Sequence, residues 1–412
     1  MPVVQTGLEV LLDDPSPIRG KRIGILSHQA AVTSNLRRAV DAIHELGVCQ
    51  IVRIFGPEHG FWGVKQDMEG AEAERDVATG IDILSLYTDT PPGESQTLGE
   101  WKRQLEEARR CLWPQEAWLA DLDLLVVDLQ DVGSRYYTFA NSMAYCMEVA
   151  KKTGTRVLVL DRPNPINGEG IEGNLLPEEW FSFVGQFPIP ARHGMTIGEL
   201  ARFYAGTDAA KYGCDLQVLS MRGWTRAMWW DQSGLPWVPP SPNMPTPTTA
   251  TIYPGMCLIE AANVSEGRGT TTPFELFGAP GIDPFELAAR LQAMKLPGIG
   301  FRPQFFRPMF QKHAGRTCGG VQLHVTDRRA LRSYAVGLWC LAIARELLGD
   351  AFQWRQEPYE YEPSDDRPAA NLLTGARFQE MLEKDGLKNF IDSFAADEEA
   401  FRKKRQEFLL YR

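Results

Sequence analysis

The sequence holds no apolar run of the roughly 20 residues that a helical membrane span requires. Its first stretch, MPVVQTGLEVLLDD, lacks the basic segment followed by a short apolar core that marks a secretory signal. Both absences lead to the expectation of a cytoplasmic protein without a membrane span. An excess of positive charge is missing too: the net charge is −10. A nucleic-acid surface needs a basic patch to release counterions, so none is expected. The seven cysteines (Cys49, Cys111, Cys146, Cys214, Cys257, Cys318 and Cys340) are odd in number and contain no CxxC. Reduced, mostly buried thiols follow. No apolar strand runs directly into a GxGxxG, so no dinucleotide is implied. No GxxxxGK[ST] is present; Gly267-Arg268-Gly269-Thr270-Thr271 has the glycines but not the lysine. HExxH and GxSxG are missing, which removes the common zinc-protease and serine-hydrolase signatures. There is no internal repeat and no low-complexity tract.

What is present is an ordinary globular composition: 412 residues, 44% hydrophobic and 23% charged. That length supports two domains. Apolar runs at Arg22–Leu26, Ile51–Phe55, Leu122–Leu129 and Arg156–Leu160 read as strands. Helical patterns separate them: one after Ser34 or Asn35, which supply a cap, another over Leu98–Leu119 that Pro114 interrupts, and a third up to Lys152 and Gly154. Pro91-Pro92-Gly93 reads as a breaker. The alternation predicts a Rossmann-like, doubly wound parallel sheet over residues 1–240. A smaller α/β domain is expected over 241–412, with helices at Asp283–Met294, Arg328–Leu348 and Asp397–Arg412 and a strand at Gly320–Val325. Thr196 with Glu199 has the spacing of a capping box. The proline- and tryptophan-rich stretch 224–250 reads as an ordered loop.

Each strand ends in polar residues: His28 after the first, Glu58 and His59 after the second, Gln130, Asp131 and Arg135 after the third, Arg162 and Asn164 after the fourth. Open α/β sheets bind ligands at that edge. In Ile51–Gly70 the strand stops at Gly56-Pro57 and is followed by Glu58-His59-Gly60, two aromatics, and Gln66-Asp67. Arg192-His193 and Asn243 lie in later polar islands, as do Glu266 and Arg268 in SEGRGTTTPFE. Paired carboxylates suit glycosidic cleavage, one as proton donor and the other as base, nucleophile or charge stabiliser. Arginines suit an anionic ligand group by bidentate contact. Trp62, Trp229, Trp230 and Trp237 offer flat faces to sugar rings or pack in a core. His28, His59 and His193 show no metal-ligand spacing, and no metal or cofactor is expected.

Six stretches occur in order: GPEHGFWGVKQDME, DLQDVGSRYYTF, LDRPNPINGEGIEGNLL, FPIPARHGMTIGELA, PPSPNMPT and SEGRGTTTPFE. With them the sequence resembles the NamZ-type exo-β-N-acetylmuramidases, long catalogued as a domain of unknown function. The resemblance covers nearly the whole chain. It implies release of terminal N-acetylmuramic acid (MurNAc) from the non-reducing ends of peptidoglycan fragments, with the site in a cleft between two domains. On that reading Glu58 is the acid catalyst, with His59 in the same motif. Its partner is Asp131 or Glu266, which the sequence does not decide. Arg268 or Arg162 reads the lactyl carboxylate of the sugar. The remaining candidates for substrate contact are His28, Gln66, Asp67, Gln130, Arg135, Asn164, Arg192, His193 and Asn243. Two rival readings stand beside it: a metal-assisted hydrolase using His28, His59, Asp131 and His193, and a catalytically silent binder of cell-wall sugars.

Overall fold

The computed structural model describes residues 4–89, 98–363, 365–384 and 386–412. The Pro91-Pro92-Gly93 breaker lies outside them. Seven strands form the first sheet: β1 (Arg22–Ser27), β2 (Gln50–Gly56), β3 (Glu74–Arg75), β4 (Asp82–Ser85), β5 (Leu124–Asp128), β6 (Arg156–Leu160) and β7 (Leu216–Leu219). Their spatial order is β3-β4-β2-β1-β5-β6-β7. All neighbours are parallel except β3 with β4. The chain therefore starts at the centre, builds one wing through β2 and β4, and returns to build the other through β5, β6 and β7. This is the doubly wound order, and its reversal lies between β1 and β5. β5 is buried along its whole length, as the apolar run LLVV requires of a strand covered on both faces.

The helices follow the physical cues only in part. Thr196 caps the helix Ile197–Thr207 through a reciprocal capping box with Glu199. Ser34 and Asn35 do not cap the helix that follows β1. That helix is Ala39–Glu45, with Arg38 at its cap position and no side-chain cap bond. Residues 33–37 close a turn of their own instead, in which the Thr33 N–H donates to the Arg37 carbonyl. The expected helix Leu98–Leu119 is broken into Leu98–Arg109, a tighter turn at Arg110–Leu112, and a separate turn of helix at Glu116–Leu119, with Pro114 in the connection.

A second sheet joins β8 (Leu276–Ala279), β9 (Ile299–Phe306) and β10 (Cys318–Val325) in the order β8-β10-β9, all antiparallel. The helix Pro284–Ala293 packs against it, and the helix Ser333–Leu348 packs on that helix. The second of these crosses the helix Pro247–Met256 where Gly255 meets Gly337. A Cβ on either glycine would overlap the other helix's backbone, so only glycine allows the approach. The chain then turns back. The helix Leu387–Lys404 brings Phe401 against Phe203 of the first unit, and Tyr411 donates to Asp161 at the end of β6. The expected C-terminal helix thus begins ten residues earlier than its sequence reading and stops at Lys404. One apolar core runs from the first sheet into the second unit without interruption.

Candidate active site

The site forms because two strand ends are in register. Gly56 of β2 pairs with Ser85 of β4, and the Leu86 N–H donates to the Gly56 carbonyl at 2.9 Å. Glu58 and Tyr87, two residues beyond each strand end, therefore stand side by side. The loop after β2 turns sharply, with His59, Gly60, Gly63 and Met68 all at positive φ. His59 adopts φ 70° without being glycine, and its Nδ1 sits 2.9 Å from the Lys65 carbonyl across the loop. Glu58 Oε2 accepts a hydrogen bond of 2.5 Å from the Thr138 hydroxyl, which precedes the helix Phe139–Thr153.

Around Glu58 lies an enclosed cavity of about 30 Å3. Its wall comes from Glu58, His59, Tyr136, Tyr137 and Thr138 on one side. Ser241, Asn243, Met244, Tyr253, Arg268 and Phe274 face them from the later part of the chain. Larger clefts lie elsewhere, one of about 840 Å3 beside Trp229 and Trp230. It includes neither Glu58 nor His59, so size alone does not locate the chemistry here. The tryptophans do not reach the cavity. Trp229 and Trp230 are buried, Trp62 stacks under Arg38, and Trp237 meets Trp230 edge to face at 5.0 Å. The aromatic faces at the cavity are tyrosines and Phe274.

Arg268 is the one guanidinium lining this cavity among the described residues. It holds Glu260 through NH2 at 2.7 Å, Glu266 through Nε at 3.2 Å and Asp67 through NH1 at 3.3 Å, over the face of Phe274. Burial works against its charge, but Asp67, Glu260 and Glu266 outweigh it and hold the proton firmly. Glu266 also pairs with Lys312 at 2.9 Å. Asp67 accepts from Gln311, and Gln66 accepts from Asn243 at 2.7 Å. Gln66, Asp67, Asn243, Glu266 and Arg268 therefore do meet near Glu58, as members of one polar network.

The other candidates have structural commitments. Arg162 forms a buried pair with Asp128 and also donates to the Val32 carbonyl. It does not line the cavity, whereas Arg268 does. Arg135 donates to the carbonyls of Asn174, Ile189 and Leu373, and Arg192 pairs with Glu172. Asn164 bridges Met195 and Ile166, and Gln130 donates to the carbonyls of Asp131 and Pro163. Asp131 accepts from the Gly133 N–H and faces His193 Nε2 at 3.4 Å. It does not line the cavity, and neither does Glu266, which is turned to Arg268 and Lys312, so neither is placed as the partner of Glu58.

His28 lies at the switch point itself. Its Nε2 accepts from the Gln130 N–H at 3.0 Å, which fixes the proton on Nδ1, facing the Pro240 carbonyl at 3.3 Å. Burial, reinforced by Arg162, pushes its pKa down to about 3, so it is neutral. His28 thereby ties the loop Trp237–Met244 to the sheet edge, and Gln29 donates to the Pro239 carbonyl alongside. Among the described residues, no group of three or more His, Cys, Asp or Glu side chains converges as a metal site. His28, His59, Asp131 and His193 thus do not form a shared ligand set. All seven cysteines are free, and no described helix is long and apolar enough to cross a membrane.

Sequence reading did not single out Tyr136, Tyr137, Thr138, Ser241, Met244, Tyr253 and Phe274 of the cavity wall, and behind that wall it missed Glu360. It is buried and accepts from the Tyr87 hydroxyl at 2.7 Å. Its only signal in the sequence is the alternation of acid and tyrosine in EPYEYEP.

Fold and cavity together define a doubly wound α/β protein with a polar, carboxylate-bearing site beside its switch point, closed over by a second unit. Residues 23–248 match the family described as exo-beta-N-acetylmuramidase NamZ, N-terminal, and residues 251–411 match its C-terminal counterpart. The chain belongs to this NamZ family. It is 39% identical over 411 residues to the peptidoglycan beta-N-acetylmuramidase NamZ of Bacillus subtilis (strain 168), covering 100% of this chain and 92% of that protein. Two crystal structures of DUF1343 family proteins from Bacteroides fragilis NCTC 9343 share the fold. One has a TM-score of 0.84 at 30% identity, covering 99% of each chain. The other has a TM-score of 0.73 at 29% identity, covering 100% of this chain and 99% of that one.

Proposed function

We propose that this protein is an exo-acting glycosidase that releases β-linked MurNAc from the non-reducing ends of peptidoglycan fragments. Family membership over the whole chain supports the reaction class. The observation that carries the residue roles is the placement of Glu58 and Arg268 on facing walls of one enclosed cavity. Glu58 gives its proton to the glycosidic oxygen as the bond from the anomeric carbon breaks, and water completes the new hydroxyl there. Arg268 reads the lactyl carboxylate through NH1, whose 3.3 Å contact with Asp67 is the longest of its three ion pairs. Tyr137, Tyr253 and Phe274 wall the sugar ring. Seven unpaired cysteines suit a reducing compartment, and we place the reaction in the cytoplasm, on imported muropeptide fragments during cell-wall recycling.

The test is incubation with the MurNAc-GlcNAc disaccharide and with a disaccharide ending in GlcNAc. The expected products from the first are free MurNAc and GlcNAc. The second should be a much poorer substrate, because a buried guanidinium left without its anion loses more than an apolar contact does. Binding of both sugars without turnover would make the protein a silent binder. Equal kcat/KM for the two would remove the lactyl clamp.

A further inference from the structure

We propose that Thr138 is the positioning residue for the acid at Glu58: its hydroxyl keeps Glu58 Oε2 as an acceptor and so places the proton for delivery on Oε1. This rests on the glycosidase reading above. The two residues come from opposite wings of the first sheet. Glu58 follows β2, Thr138 lies in the connection after β5, and β1 stands between those strands. Their contact of 2.5 Å therefore spans the switch point, and both side chains are buried and line the cavity. Among the described residues the Thr138 hydroxyl has no other acceptor, and Glu58 Oε1 takes part in no hydrogen bond. A proton on Oε2 would turn that oxygen into a donor and leave the hydroxyl hydrogen without its acceptor. A buried polar group left unpaired is costly, so the proton stands on Oε1.

Thr138 directly precedes the 15-residue helix Phe139–Thr153, where a threonine hydroxyl commonly accepts from the N–H groups of the first turn. It makes no such bond here, and its own backbone is already helical, at φ −66° and ψ −11°. The hydroxyl is thus withdrawn from capping the helix and directed at the carboxyl group instead. The helix end adds to the effect, because its free N–H groups favour negative charge nearby. As the Oε1 proton passes to the leaving oxygen and the glycosidic bond breaks, Glu58 becomes a carboxylate. The hydroxyl bond and the helix end both strengthen as that charge develops. Water then adds its hydroxyl to the anomeric carbon, and the remaining proton restores Oε1.

The other titratable groups around Glu58 stay as they are when the hydroxyl is removed. His59 shares its loop, Tyr136, Tyr137, Tyr253 and Arg268 line the same cavity, and Tyr87 with Glu360 lies behind the wall. Burial pushes the four phenols well above their ordinary values and keeps them neutral. Burial raises the Glu360 carboxyl in the same way, and against burial three carboxylates keep Arg268 charged. None of these groups is hydrogen-bonded to the Thr138 hydroxyl among the described residues. A change at Thr138 therefore reaches the acid through its own bond to Glu58.

The experiment is the pH profile of kcat/KM on the disaccharide for Thr138→Val and Thr138→Ser against wild type. Valine keeps the volume and removes the donor, whereas serine keeps the donor and removes a methyl group. In Thr138→Val, kcat should fall by about tenfold with KM little changed. The alkaline limb should move to higher pH by about a unit, because a carboxyl group without its donor ionises less readily. A nitrophenyl glycoside, which needs little protonation, should lose far less. Thr138→Ser should keep most of the rate and the wild-type limb. An unmoved limb in Thr138→Val, or equal losses on the two substrates, would show a purely structural tie and overturn the proposal. A Thr138→Ser protein that behaves like the valine variant would do the same. Should Thr138→Val not fold, Thr138→Ala makes the same comparison. Failure of the wild type to cleave the disaccharide would reject the glycosidase reading, and carboxyl-carbon NMR of glutamate-labelled protein then tests Thr138 without catalysis. The signal that Glu58→Gln removes should titrate at higher pH in Thr138→Val, and an identical titration in both proteins overturns the assignment.

Discussion

At Glu58, chemistry and architecture can be separated by one substitution. Glu58→Gln keeps the shape and can still accept from Thr138, but it carries no acidic proton. General acid catalysis contributes on the order of 10² to 10⁴ in rate, so kcat on the unactivated disaccharide should fall by about that factor with KM little changed. A nitrophenyl glycoside has a leaving group that needs little protonation and should lose far less. If kcat on the disaccharide stays near wild type in a folded variant, Glu58 has no part in the mechanism. His28 makes a different statement, about stability. It is neutral in the fold, with its pKa lowered to about 3, whereas in the unfolded chain it titrates near 6.5. Between those values the unfolded state binds more protons, so this contribution to stability is complete above pH 6.5 and is lost as pH falls toward 3. The effect is on the order of a few kcal/mol. Asp161 acts with the opposite sign, because burial raises it to about 7 from 3.8 and its contribution declines as pH rises through that window. Denaturant titrations from pH 4 to 7 should show a flatter acid limb for His28→Gln than for wild type. Parallel curves would mean that the imidazole takes up a proton without unfolding.

Elements whose reasons are local were legible in the sequence, and elements whose reasons are tertiary were not. β1, β2, β5 and β6 are central parallel strands, and burial on both faces makes each a short apolar run. The capping box at Thr196 is a four-residue pattern and was equally plain. β9 has the sequence IGFRPQFF, with a proline and polar residues along an open sheet edge, and carries no such signal. The cap assigned to Ser34 or Asn35 failed because their neighbours Thr33 and Arg37 close a separate turn first. In the site, Glu58 and Arg268 stand in glycine-rich motifs and could be read. Glu360 could not, because only folding brings it to Tyr87, 273 residues away in sequence. The Gly255–Gly337 crossing is likewise invisible locally, and it yields a prediction at this scale. In Gly337→Ala the new methyl group would overlap the Gly255 backbone, forcing the two helices apart. Overpacking of this kind costs about 1–3 kcal/mol, so the melting temperature should drop while the wild-type pH profile is kept. An unchanged melting temperature would show that the helices part freely.

For the molecule as a whole, the enclosed cavity of about 30 Å3 is the governing fact, since sites that take sugar-sized ligands are roughly 300–1,000 Å3. The walls must therefore part before MurNAc enters. The contacts that close them are polar: Gln66 with Asn243, Asp67 with Gln311 and Arg268, Tyr87 with Glu360, and Arg109 with Glu362. Polar contacts are replaced by water at little net cost, whereas the continuous apolar core between the units is not. Opening should accordingly occur at the rim, through the segment that carries Glu360 and the loop that carries Asn243, with the core intact. A cavity entered this way admits a chain end and not a chain middle, so end-blocked glycan strands should resist cleavage. Asp67 is the test of the closing mechanism, because it occupies the Arg268 NH1 that a lactyl carboxylate would take. In the free protein it is a competitor for the ligand. Asp67→Asn removes that competing charge and keeps a side chain able to accept from Gln311. Binding of free MurNAc, measured by calorimetry, should then strengthen several-fold, while binding of GlcNAc, which has no lactyl group, should stay as it was. Weaker binding of MurNAc in a folded Asp67→Asn protein would mean that Asp67 supports the ligand directly, and that Arg268 is held closed by something other than this ion pair.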